Sequence, residues 1–211
     1  MPLYLTKNNT DGSRIAIWQI KESASELFAL ANLSERLQIE VESFRSDPRK
    51  KEWLTLRILL KDILKLAHPD DVFYDAKGKP HLQNGNGHIS FSHTGNFAAV
   101  IFHPNKNVGI DIETIHPRIE NIAHKFVNED ENAFILPTKK TEMLHIIWGV
   151  KEVLYKIYGK GGVDFRKHLN VQPFSLANQG IVDAEMRIES HQTLLINYFF
   201  RDELVVVYGC Q

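Results

Sequence analysis

Two hydrophobic periods run along the chain, and they predict its elements. Apolar residues at helical spacing predict helices over residues 24–45 and from Asp47-Pro48 to just before His68-Pro69. The same spacing predicts helices over 119–136, with a break near Asn128, and over 141–158. β-branched and aromatic residues in alternation predict strands over residues 14–20, 88–103 (a hairpin), 108–112, 169–174, 185–189, 194–200 and 204–208. The polar, glycine-rich residues 75–87 predict turns.

The order of these elements is the same in the two halves of the chain. Each half runs strand, helices, long helix, strands, and the join lies near Pro104–Asn107. The letters themselves do not repeat, so the inferred duplication depends on element order alone. We therefore predict an α+β (α/β) fold with one half over residues 1–105 and the other over 106–211.

Composition narrows the class of protein. A length of 211 residues with 43% hydrophobic and 24% charged content is typical of a globular chain with a sizeable core. A net charge of −1 and a pI near 6.8 argue against a bulk nucleic-acid or membrane binder. The single cysteine, Cys210, precludes an internal disulfide, and neither a signal peptide nor an apolar run of ~20 residues is present. These features predict a cytoplasmic protein.

The helix over residues 141–158 separates apolar from polar side chains. One face carries Ile146, Ile147, Val150, Val153, Leu154 and Ile157, and the other carries Trp148, Lys151, Glu152, Tyr155 and Lys156. Glu152 and Lys156 are four residues apart and are therefore neighbours on the helix. The simplest interpretation of this pair is a solvated salt bridge, which contributes about 0.3–0.5 kcal/mol.

Two carboxylates share one face of the strand Gly109-Ile-Asp-Ile-Glu113. Asp111 and Glu113 are one strand repeat apart, roughly 6.5–7 Å, and repel each other unless a positive charge is near. A half-buried strand with a solvated acidic face is the commoner outcome. The alternative is a site for Mg²⁺, which takes one or two carboxylates together with phosphate oxygens and water, with Glu152 as a third carboxylate. Lys151 and Lys156 beside such a site suit a pyrophosphate.

Two further stretches carry groups that bind phosphate in many proteins. Ser92 and His93 end a predicted strand, where such side chains either cap or solvate the chain or grip a phosphate. Lys79 lies in Gly78-Lys-Pro80, a sequence typical of a turn.

Together, Gly109–Glu113, Trp148–Lys156 and Ser90–Thr94 resemble the 4′-phosphopantetheinyl transferase superfamily, in its longer, surfactin-synthetase type. The resemblance covers roughly residues 47–175. It implies a monomer of two similar halves with an internal pseudo-two-fold axis and the active site between them. It also implies a Mg²⁺-dependent transfer of the 4′-phosphopantetheine arm of coenzyme A to a serine of an acyl or peptidyl carrier protein, with release of adenosine 3′,5′-bisphosphate.

The resemblance also implies roles for individual residues. Asp111, Glu113 and Glu152 would hold Mg²⁺, Glu113 would help to deprotonate the serine, and Lys156 would bind the phosphates. The catalytic residues would be Glu113, Glu152 and Lys156. The expected coenzyme A ligands are Arg49, Lys79, Ser92, His93, Lys151 and Lys156, with the 3′-phosphate on the first half and the metal on the second. Glu131 and its neighbour Glu129 both lie near a further acidic position of the family.

The same residues are compatible with two other functions. A Mg²⁺-dependent phosphohydrolase would use the same carboxylates, but it would not need Lys79, Ser92 and His93 around a second phosphate. A non-catalytic module that binds carrier proteins would be indicated by loss of Glu152 or Lys156, and both are present.

Overall fold

The computed structural model describes residues 3–65, 68–83 and 85–211. They form antiparallel sheets and helices, which confirms the mixed α/β class. The chain divides into two compact units, Met1–Lys106 and Asn107–Gln211. Among the described residues, no helix has both the length and the apolar character needed to cross a membrane. The assignment of coenzyme A to the first half and of the metal to the second stays a prediction.

The first unit contains a four-stranded antiparallel sheet and a separate two-stranded hairpin. Its strands are β1 (Leu3–Asn8), β2 (Arg14–Gln19), β3 (Val72–Tyr74), β4 (Pro80–Leu82), β5 (His88–Thr94) and β6 (Phe97–His103). The order in the sheet is β1-β2-β6-β5, and β3 pairs with β4. The pattern predicted β2 and the hairpin β5–β6. It did not predict β1, and it assigned the region of β3 and β4 no strands.

Serine caps begin the α-helices described in the first unit. The helices are α1 (Ala24–Ala31), α2 (Glu35–Glu42) and α3 (Asp47–Ile58), and α3 continues into a π-helical turn, Leu59–Ile63. Ser23, Ser34 and Ser46 each accept a hydrogen bond from a backbone N–H three residues on. Residues 66 and 67, at the predicted end of the third helix, lie outside the described residues. Within the described part, the predicted helices over 24–45 and after Asp47 are confirmed.

The second unit is a five-stranded antiparallel sheet with one long helix. The strands are β7 (Val108–Thr114), β8 (Leu169–Val171), β9 (Gln179–Arg187), β10 (His191–Arg201) and β11 (Leu204–Cys210), in the order β7-β11-β10-β9-β8. The helices are α4 (Ile119–Ile122), α5 (Glu129–Phe134) and α6 (Lys140–Tyr158). Asn128 caps α5, which explains the predicted break. The strand predicted at 185–189 instead starts at Gln179.

Helix α6 lies close to the sheet because a glycine on each side of the contact leaves room for the other side. A Cβ atom on Gly109 of β7 would lie 2.5 Å from the carbonyl oxygen of Val153. A Cβ atom on Gly149 of α6 would lie 2.6 Å from Cγ2 of Val207 and 3.7 Å from Oδ2 of Asp111. The apolar face predicted for α6 is buried at every position. The glycines therefore bring the helix within reach of the acidic strand.

Replacing Gly109 with alanine should destabilise the protein by about 1–3 kcal/mol, the usual effect of overpacking a close contact. The group that the new methyl meets is a helix backbone carbonyl, which cannot rotate away. The measurement is the midpoint of urea unfolding at an unchanged m-value. A midpoint equal to that of the wild type would contradict the close packing.

Candidate active site

An ion pair links α6 to β7. Lys156 Nζ donates hydrogen bonds to Oδ1 of Asp111 and to the carbonyl oxygen of Ile110, both at 2.8 Å. The Asp111 side chain is buried, and that of Lys156 is 24% exposed. Lys156 therefore binds the strand carboxylate, and the simple interpretation of a solvated Glu152–Lys156 pair is not what the structure shows.

Glu152 and Glu113 complete an acidic group around this pair. Burial is the main cause that raises the pKa of Glu152 to about 7; Lys156 lowers this pKa, whereas Asp111 and Glu113 raise it further. Asp111, Glu113 and Glu152, named here the acidic group, thus lie close enough to interact. The structure brings together the three carboxylates and Lys156.

The acidic group offers the oxygen ligands that Mg²⁺ prefers. Magnesium commonly takes one or two protein carboxylates and completes its shell with water and phosphate oxygens. In the described part of the chain, no three His, Cys, Asp or Glu side chains are arranged as a ready metal-binding cluster. The donor chemistry therefore fits a hard cation, although the full ligand set is not preassembled.

Lys151 lies away from this group, inside the protein. Its Nζ atom donates to Oε2 of Glu131 at 2.7 Å and to the carbonyl oxygens of Phe126 at 2.6 Å and Phe165 at 2.9 Å. These three acceptors use all three ammonium protons, and the side chain is completely buried. Burial lowers the pKa of Lys151, and Glu131 opposes this shift. This placement contradicts the predicted role of Lys151 as a phosphate ligand.

A groove borders Glu152. It has a volume of about 790 Å³ and is lined by Phe126, Trp148, Tyr155 and Phe165 as well as Glu152. The ring of Phe165 lies 5.6 Å from that of Trp148 and 5.9 Å from that of Tyr155, measured between centroids. We name it the aromatic groove. The sequence analysis missed it, although Trp148, Glu152 and Tyr155 recur at helical spacing.

His145 is a second feature that the sequence analysis missed. Its Nε2 atom accepts a hydrogen bond from the backbone N–H of His116 at 3.0 Å. Burial lowers the pKa of His145, while the carbonyl oxygen of His116, 3.2 Å from the same Nε2 atom, and the charge of Asp111 raise it. His145 precedes Glu152 by seven residues and Lys156 by eleven. This spacing places all three on one face of α6 and was the available signal.

In the first unit, two of the predicted coenzyme A ligands converge on one carboxylate. Nη1 of Arg49 lies 3.7 Å from Oε2 of Glu52, and Nδ1 of His93 lies 3.3 Å from Oε1 of the same residue. The sequence analysis did not consider Glu52, which lies three residues after Arg49 on α3. The structure thus connects the start of α3 to the end of β5.

The other two predicted ligands of this unit occupy separate settings. Ser92 is buried in β5, whereas His93 beside it is exposed. The backbone N–H of Lys79 donates to Oδ1 of Asp75 at 3.0 Å, which helps to fold the turn before β4. Burial lowers the pKa of the Lys79 ammonium, and Asp75 partly offsets this.

Residues 107–203 match a family model described as ACPS, the 4′-phosphopantetheinyl transferase superfamily. They contain β7, α6 and the whole acidic group. Within the second unit, residues 107–203 are therefore similar to the 4′-phosphopantetheinyl transferase superfamily. The resemblance drawn from the sequence motifs is therefore confirmed.

Three curated relatives are also similar to this chain. The 4′-phosphopantetheinyl transferase AcpT of Escherichia coli O157:H7 is 30% identical over 118 residues, 53% of this chain and 60% of the relative. A 4′-phosphopantetheinyl transferase of Bacillus subtilis is 30% identical over 132 residues, 60% of this chain and 56% of the relative. The transferase Sfp of Bacillus subtilis strain 168 is 32% identical over 88 residues, 40% of this chain and 39% of the relative. The matches thus span at most 60% of these relatives.

Without divalent cations, Glu152 should make the folding free energy depend on pH. Its folded pKa of about 7 exceeds the ordinary 4.5, so between these values the folded state holds a proton that the unfolded chain releases. This stabilisation is fully present below pH 4.5, is lost as the pH rises through about 7, and amounts to about 3 kcal/mol. Denaturant unfolding in EDTA should show the wild type losing stability relative to Glu152→Gln between pH 5 and pH 8. Parallel pH profiles of the two proteins would contradict this.

Proposed function

We propose that the protein is a Mg²⁺-dependent 4′-phosphopantetheinyl transferase. It transfers the phosphopantetheine arm of coenzyme A to a serine of an apo carrier protein and releases adenosine 3′,5′-bisphosphate. The observation that supports this best is the ammonium of Lys156, held at 2.8 Å on Asp111 beside Glu152 and Glu113. It lies in the part of the chain that matches the superfamily.

The acidic group would hold the magnesium ion through Asp111, Glu113 and Glu152. Mutual repulsion contributes to the raised pKa of Glu152, and a divalent cation would relieve that repulsion. When bound, Mg²⁺ supplies positive charge to the pyrophosphate oxygens of coenzyme A.

Lys156 is the residue that we assign to the leaving group. Two of its three protons go to Asp111 and to the Ile110 carbonyl, which leaves one for an oxygen of the pyrophosphate. These two bonds fix the ammonium before substrate arrives. Negative charge grows on the leaving group as its bond to phosphorus breaks, so a prepositioned cation stabilises the transition state more than the bound substrate.

The serine must lose its proton as it attacks phosphorus, and we assign that proton to Glu113. Glu113 is half-buried near the end of β7, beside Asp111 in the same strand. Glu152 lies on the opposing helix, and burial, with smaller contributions from Asp111 and Glu113, raises its pKa to about 7. In this proposal Glu152 acts chiefly through the metal, and Glu113 also accepts the proton.

The first unit would bind the phosphates of the nucleotide through Arg49, Lys79, Ser92 and His93. The convergence of Arg49 and His93 on Glu52 supports this, because it holds a guanidinium and an imidazole, two groups that can donate hydrogen bonds to phosphate, near each other. Each unit contains an antiparallel sheet and a long helix, which supports the further proposal that the units are duplicated halves of one functional monomer.

The test of the function is a mass measurement. The protein is incubated with coenzyme A, Mg²⁺ and a panel of apo carrier proteins, each paired with its serine-to-alanine variant. At least one carrier should gain the mass of one phosphopantetheine group, and its alanine variant should not. Phosphate release without carrier modification would indicate the phosphohydrolase instead. Carrier binding without a mass change would indicate the non-catalytic module.

Lys156→Ala should lower turnover roughly 10²–10³-fold, the scale of losing one preorganised electrostatic group. The KM for coenzyme A should change less, because the interaction strengthens in the transition state. Lys156→Arg should recover only part of the turnover, since a planar guanidinium differs in reach from an ammonium. Steady-state kinetics on one apo carrier measure this.

A matched control is Lys160→Ala, which removes an exposed lysine that pairs with Glu189 at 2.8 Å. Its kinetics should equal those of the wild type. Near-normal turnover in Lys156→Ala would reject the assignment of this lysine to the leaving group.

A further inference from the structure

The mechanism above does not use the buried pair of Glu131 and Lys151. Both side chains are completely inaccessible to solvent, and their charged atoms are 2.7 Å apart. Lys151 also donates to the carbonyl oxygens of Phe126 and Phe165. The ammonium of Lys151 therefore binds a segment that precedes α6 in the sequence, at Phe126, and one that follows it, at Phe165.

Glu131 extends this network to two more segments. Its Oε1 atom accepts from the backbone N–H of Val171 in β8 at 2.9 Å. Its Oε2 atom accepts from the backbone N–H of Asn128, the cap of α5, also at 2.9 Å. The pair thus joins α5, α6, β8 and the loop after α6, and each of its two charged groups has at least two hydrogen-bond partners.

The two carbonyl acceptors belong to the residues whose rings flank Trp148. The ring centroids of Phe126 and Phe165 lie 5.1 Å and 5.6 Å from that of Trp148. All three residues line the aromatic groove next to Glu152. Lys151 therefore fixes the backbone behind both of these walls.

Stability alone does not account for an ionic pair at this place. A buried ion pair must overcome the desolvation of two charges, and apolar side chains of similar volume often stabilise a protein equally well. The ion pair is directional, unlike an apolar contact, because the three N–H groups of the ammonium require three acceptors at defined positions. Its specific contribution is geometric.

We propose that Lys151, together with Glu131, is a positioning residue that holds the Phe126 and Phe165 walls of the aromatic groove against Trp148, beside Glu152. Neither residue touches substrate in this assignment. The kinetic part of the proposal rests on the proposed transferase function. The structural part does not.

The experiment compares Lys151→Met, Glu131→Gln and the double variant with Lys160→Met as a matched control. Lys151→Met leaves the charge of Glu131 buried, so its unfolding midpoint should fall. The double variant removes both charges, so its midpoint should recover relative to Lys151→Met. Lys151→Met and the double variant both lack the hydrogen bonds to the carbonyl oxygens of Phe126 and Phe165. Their turnover should therefore stay roughly 10–100-fold below that of the wild type and of Lys160→Met.

A second measurement does not depend on activity. The protein is labelled with 5-fluorotryptophan, and its ¹⁹F spectrum should show Trp148 in the second unit and Trp18 and Trp53, which are buried in the first. The Trp148 resonance should shift or broaden in Lys151→Met and in the double variant. The resonances of Trp18 and Trp53 should stay in place as internal controls, and Lys160→Met should leave all three unchanged.

The outcomes separate this proposal from the proposed function. A double variant with wild-type turnover and an unmoved Trp148 resonance would show that the pair contributes stability only, which overturns the proposal. If the wild type modifies no carrier, the proposed function fails, and the ¹⁹F comparison still decides the positioning role. If the Lys151 variants do not fold, hydrogen exchange in the wild type decides: the amides of residues 163–167 should be protected, and fast exchange there would overturn the proposal.

Discussion

The candidate site depends on how closely α6 approaches β7. Gly109 and Gly149 have no side chains of their own at this contact, and a methyl group on Gly109 would lie 2.5 Å from a helix carbonyl. Only at this separation does Lys156 reach both the carboxylate of Asp111 and the carbonyl of Ile110 at 2.8 Å. The glycines thus determine the geometry of an ion pair to which they contribute no atoms.

The charge balance of the acidic group follows from that contact. Three carboxylates meet one ammonium in a partly buried place, where repulsion is poorly screened. The folded protein responds by raising the pKa of Glu152 to about 7, with burial as the main cause. The pair of Glu131 and Lys151 is the opposite case, because its charges cancel and each has several bonded partners. An unbalanced cluster suits a ligand that brings its own charge, whereas a balanced one suits a fixed architecture.

Local periodicity was sufficient to predict much of this arrangement. The spacing of apolar residues predicted α6 within one residue of its observed start, and strand alternation placed Asp111 and Glu113 together. Tertiary contacts decided the rest. Glu52 meets His93, and His145 meets His116, across long stretches of sequence. The short strands β3 and β4 have three residues each, too few to show alternation, and turn bonds to Asp75 connect them.

The error over Lys151 has a simple geometric source. At 3.6 residues per turn, Lys151 and Lys156 lie about 140° apart around the helix, whereas Glu152 and Lys156 are separated by only about 40°. The two lysines therefore start from different sides of the helix and meet different partners, although both are polar residues outside the apolar face. No pattern in the sequence indicates that α5 and the Phe165 loop cover the side of α6 that carries Lys151. There the buried ammonium of Lys151 binds Glu131 and the carbonyl oxygens of Phe126 and Phe165. One helix therefore carries a lysine that faces the acidic group and another that holds the walls of the groove.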